Sequence, residues 1–114
     1  MFEFDFNDLC EKSQGEELIG TWAAFGRYGR KEYNISQCDK SHLWFNGPDA
    51  SGGVLSGRLV RSGDWHEATV KISEGIDVGS IRVAFIEKDD SLLLNFRCSG
   101  EAAWGQDVFA RREA

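Results

Sequence analysis

The sequence predicts an all-β domain, an antiparallel meander closed into a barrel or folded as a sandwich. Three observations carry that expectation. Most of the chain alternates apolar and polar residues at period two, in segments rich in β-branched and aromatic side chains. Those segments are short and evenly spaced. Thirteen glycines against a single proline supply the turns between them. At 114 residues the chain fits one domain, 1–114, with a core of its own.

The first nineteen residues differ from the rest. Phe6, Leu9 and Cys10 fall at helical spacing, with Asp5 or Asn7 placed to cap. A short helix or arm over 1–19 is expected, which Phe2 and Phe4 extend or replace by an edge strand. Strands are expected at 20–27, 31–37, 42–45, 54–61, 65–73, 78–87, 91–98 and 103–112. The separators "RYGRK", "CDKS", "NGPDASGG", "RSGDW", "SEGID", "KDDS" and "CSGEA" carry turn chemistry. Alternation sorts the side chains by face. Leu92, Leu94, Phe96 and Cys98 share one side of their strand, as do Ile81, Val83 and Phe85, and His66, Ala68, Val70 and Ile72. The opposite face keeps Trp65, Ile86 and Leu93, which calls for a cover.

Composition narrows the function classes. Thirteen basic against nineteen acidic residues give a formal charge of −6, which disfavours a phosphate-backbone binder, so no nucleic-acid partner is expected. No apolar run approaches the roughly 20 residues of a membrane span, and the start lacks the basic and apolar stretches of a secretory signal. Cys10, Cys38 and Cys98 are odd in number and widely spaced, as free thiols of a reducing compartment are. A cytoplasmic protein is the expectation.

Gly20-Thr21-Trp22 opens the first strand, and "VFARR", Val108 to Arg112, closes the last. This pairing resembles the calycin superfamily, which includes the lipocalins and avidins. The resemblance implies an eight-stranded up-and-down barrel in which Trp22 packs at the closed end. It also implies that a basic residue of the last strand, here Arg111, stacks on the indole. Cation–π contact favours such a pair by about 0.5–2 kcal/mol. "GQDVFAR", Gly105 to Arg111, further resembles the last avidin strand, with Asp107 where an aspartate accepts a hydrogen bond from biotin. The small polar donors that avidins also use are replaced here by Ala24 and Tyr28, so biotin is not the expected ligand.

The expected function is non-enzymatic: a binding module holding a small hydrophobic or aromatic molecule in the barrel mouth, with no cofactor. Phe45, Phe85, Phe96 and Trp104 would line that mouth, with His66 and Asp107 as orienting polar groups. Asp107 stands out because an inward carboxylate must be hydrogen-bonded. Pairing with Arg97 or Arg82 is its structural alternative. Cys38 and His42 lie four apart across a turn, but no nucleophile elbow, metal motif or base supports catalysis. The rival reading is a protein-interaction or inhibitor-like barrel with a filled core. It would use the arm of Phe2, Phe4 and Phe6, or an outward face of Trp65, Ile86 and Leu93 that also suits a homodimer.

Overall fold

The computed structural model describes residues 15–26, 29–39, 42–48, 53–72 and 75–113. Eight antiparallel strands follow one another: β1 (Gly20–Gly26), β2 (Gly29–Asp39), β3 (His42–Pro48), β4 (Val54–Ser62), β5 (Trp65–Lys71), β6 (Asp77–Ile86), β7 (Ser91–Cys98) and β8 (Val108–Arg112). Each pairs with its neighbour in sequence, and β8 returns to β1, so the sheet is a closed up-and-down barrel. Every strand expected from the period-two pattern is present. The last begins at Val108 rather than at residue 103, because residues 99–107 form a connection outside the ladder. Of the expected N-terminal helix, the described part is one 3-10 turn, Glu16–Leu18. Residues 1–14, including Phe2, Phe4, Phe6 and the cap candidates, lie outside the described residues.

Burial follows the pleat. The inward residues form a single cluster, with Trp22, Ile35, Phe45, Val70, Val83 and Leu92 at most 1% exposed. Burying each such side chain contributes roughly 1.5–3 kcal/mol before conformational entropy is counted. Phe85 meets the Trp22 ring edge-on at 6.2 Å between centroids, and Tyr33 stacks on Phe45 at 6.0 Å. The barrel interior is occupied by its own side chains.

Leu18, 1% exposed, and Trp22 plug one end. The Trp22 Nε1–H donates to the Leu18 carbonyl at 2.9 Å. The guanidinium above the indole belongs to Arg112, not Arg111, with Cζ 4.3 Å from the ring centroid. Strand parity explains the correction. Trp22 pairs with Arg112 and Ala23 with Arg111, so Arg112 shares the inward face while Arg111 is exposed on the outer one. Ala110, fully buried, takes the inward position next to Leu92. Arg112 Nη1 also donates to the Ile19 carbonyl at 2.9 Å and Nη2 to the Glu17 carbonyl at 2.8 Å. It thereby ties the last strand to the entry turn.

Gly20 makes the approach possible. Its φ of +144° lies where side chains rarely go, and a Cβ there would sit 2.9 Å from Arg112 Nη1. The Gly-x-Trp step is thus a glycine that leaves room for the arginine covering the tryptophan. Replacing Arg112 by Ala is expected to lower unfolding stability by about 2 kcal/mol, since a cation–π contact, two hydrogen bonds to carbonyls and an exposed ion pair with Asp90 at 3.4 Å are lost. Arg111→Ala should stay within about 0.5 kcal/mol, as exposed substitutions do. Urea denaturation of both variants measures the contrast.

Candidate binding site on the outer face

The residues expected around a barrel mouth do not converge. Phe45 is buried in the core, and Phe85 packs on Trp22 at the plugged end. Phe96 is half-buried toward the opposite end. His66 points inward near the entry turn, its Nε2 4.0 Å from where a Gly15 Cβ would stand. Burial, reinforced by the charge of Arg61, holds its imidazole below the usual histidine range. The neutral form is favoured in the folded state, so this contribution to stability is present above about pH 6.5 and lost as pH falls below it. Thermal midpoints measured between pH 8 and 5 should drop on acidification, and His66→Gln should flatten that drop.

Asp107 and Trp104 lie on the outside of the barrel. Asp107 falls at outward parity with Phe109, whereas Val108 and Ala110 alternate inward. An ionised carboxylate among Leu94 and Phe96 would carry a heavy desolvation cost. The exposed Asp107 instead accepts a hydrogen bond at 2.6 Å from Asn95 Nδ2. Asn95 is 2% exposed, and its Oδ1 accepts from Arg82 Nε at 2.9 Å. The expected Asp107–Arg82 pairing therefore runs through an intervening asparagine.

Around this relay the aromatic and cationic side chains alternate. Arg82 Cζ lies 4.2 Å from the Trp65 ring centroid and 4.5 Å from that of Trp104, and Arg97 Cζ lies 4.4 Å from Trp104. Trp65 on β5, Arg82 on β6, and Arg97 on β7 hold Trp104, and with it the connection between β7 and β8, against the sheet. A Gly105 N–H bond to the Phe96 carbonyl at 2.8 Å secures the same segment. Asn95→Ala removes all three side-chain bonds of a buried group, the third donated by Nδ2 to the Gly105 carbonyl at 3.5 Å, and is expected to cost about 1–3 kcal/mol. Asp107→Ala, at an exposed position, should cost less than half as much in the same denaturation assay.

Beside this stack, an open depression of about 460 Å³ lies over β3–β6. Its walls are the outward side chains of Trp44, Arg58, Val60 and Glu67, and Ser56, Thr69, Lys71 and Ser80 complete the rim. The floor is a seam where Gly57 and Ala68 show through the sheet. Strands β4 and β5 pair at Ser56↔Lys71 and again from Val60↔Glu67 onward, and the ladder skips residues 57–59 and 68–70. Gly57 explains the skip: a Cβ there would collide with the Thr69 carbonyl, so the two backbones cross where only glycine fits. The seam is thus a close backbone crossing beneath the depression.

The side chains of the depression fall into cross-strand rows. Trp44 pairs with Arg58, Glu67 with Arg82, and Thr69 with Ser80. Lys71 is bridged to Asp77 at 3.2 Å. Among the described residues, neither Arg58 nor Glu67 takes part in a hydrogen bond or ion pair. Sequence reasoning missed Trp44, Arg58 and the Gly57 seam; the glycine inside an otherwise regular strand was the available signal. No group of three His, Cys, Asp or Glu among the described residues is placed to hold a metal ion. The side chain of Cys38, four residues before His42 and expected across a turn from it, lies outside the described residues. No family model, no curated protein and no solved structure matches the chain.

Proposed function

We propose that the chain is a non-enzymatic binding module of calycin-like architecture that recognises its partner on the outer face of β3–β6 rather than in the barrel mouth. The single observation that carries this reading is the pairing of an occupied interior with an open-seamed depression outside it. A ligand in the barrel would have to displace side chains that pack on one another at essentially zero exposure. The outer depression needs no displacement. It combines an indole wall with charged side chains and hydroxyls on one face. The calycin likeness is supported by the triad of Gly20, Trp22 and Arg112 at the plugged end, with Arg112 in the role first expected of Arg111.

The reading is tested by two-dimensional amide NMR on the full chain. Adding laurate or a hydrophobic dye is expected to leave Val83, Leu94 and Phe96 unmoved. Shifts confined to those inward residues would restore the mouth as the binding site.

A further inference from the structure

We infer that the depression over β3–β6 takes a neutral polyhydroxylated ring, a saccharide unit, with Trp44 as its stacking platform. The inference rests on the outer-face reading above and names the ligand class for that site. Charge decides against the other classes. Arg58 and Lys71 stand against Glu67 and the Asp77 that bridges Lys71, and Arg82 lies opposite Glu67 on the next strand, so cations and carboxylates are interleaved and no single sign of charge dominates the site. An acidic peptide or a phosphate-bearing strand would meet Glu67 as well as Arg58, and the chain's overall charge of −6 opposes both.

A sugar ring suits what is present. Its C–H face is apolar and flat enough to lie on an indole, and Trp44 is 36% exposed beside the depression. Its hydroxyls both donate and accept. Arg58 offers donors only and Glu67 acceptors only, and neither is engaged elsewhere among the described residues. Ser56, Thr69 and Ser80 contribute hydroxyls of both kinds on the same face. The close backbone crossing at Gly57 forms the floor. A volume of about 460 Å³ gives space for a ring and part of its neighbour.

The test is amide and indole NMR titration of the full chain with maltotriose, cellotriose and chitotriose at millimolar concentration. At least one is expected to shift the Trp44 indole, Arg58 and Thr69. Trp44→Ala should weaken that binding about tenfold or more. Arg58→Ala and Glu67→Gln should each weaken it several-fold, with thermal midpoints held near the parent value. Silence to all three sugars, or equal affinity in parent and Trp44→Ala, overturns the inference. Shifts of the same residues by an octaglutamate peptide or a ten-residue oligothymidylate, without any by sugars, overturn the saccharide while leaving the outer face as the site. Shifts by laurate at inward residues alone would remove the outer-face reading itself.

Discussion

The barrel depends on how Trp22 is enclosed. Its indole N–H is satisfied by the Leu18 carbonyl, its face by Arg112, and Arg112 in turn by the carbonyls of Glu17 and Ile19. These contacts join the entry turn, the first strand and the last strand at one point. They also remove two problems together. The plug leaves the guanidinium hydrogen-bonded rather than stranded over an apolar core, and the β1–β8 pairing leaves the sheet without an open edge. Because strand faces alternate, setting Trp22 opposite Arg112 sets which residues of β1 and β8 face the core.

That facing creates an outer surface with its own organisation. Trp44, Trp65 and Trp104 stand outside the core, leaving Trp22 as the buried tryptophan. Trp65 and Trp104 sandwich Arg82 and are occupied in holding the β7–β8 connection, while Trp44 stands at the edge of the seam with no such duty. The stack adjoins the depression through Arg82, which lies opposite Glu67 on the next strand. The glycine crossing at Gly57 opens its floor. An indole wall beside an interrupted ladder is a combination that a sealed and regular sheet would not provide.

Much of this was legible in the chain. The alternation in Ser91–Cys98 gave that strand's bounds and inward face directly, because Leu92, Leu94 and Phe96 leave no competing register. The end of the barrel was harder. Val108 to Arg112 places two arginines side by side, and one residue of slip exchanges their faces; only pairing with Trp22 and Leu94 decides between them. Asp107 misled for the same reason, since its neighbours Trp104 and Phe109 are apolar yet lie outside. Asn95 gave no signal, because an asparagine on a strand's outer face is ordinary until a folded-back connection buries it. At Gly57 the signal was a glycine inside a regular strand; that it marks a close crossing of two backbones follows only from the pairing of β4 with β5.

Closure has a kinetic side. Seven of the eight strand pairings join neighbours in sequence, and each can form as a hairpin or its extension. The eighth joins Trp22 to Arg112 across nearly the whole chain. Bringing such distant ends together costs about 4 kcal/mol of chain entropy on the simple logarithmic estimate, before any contact compensates. On that cost the meander is expected to assemble before the ring shuts, and substitutions at the Gly20–Trp22–Arg112 junction to act mainly on the rate of opening.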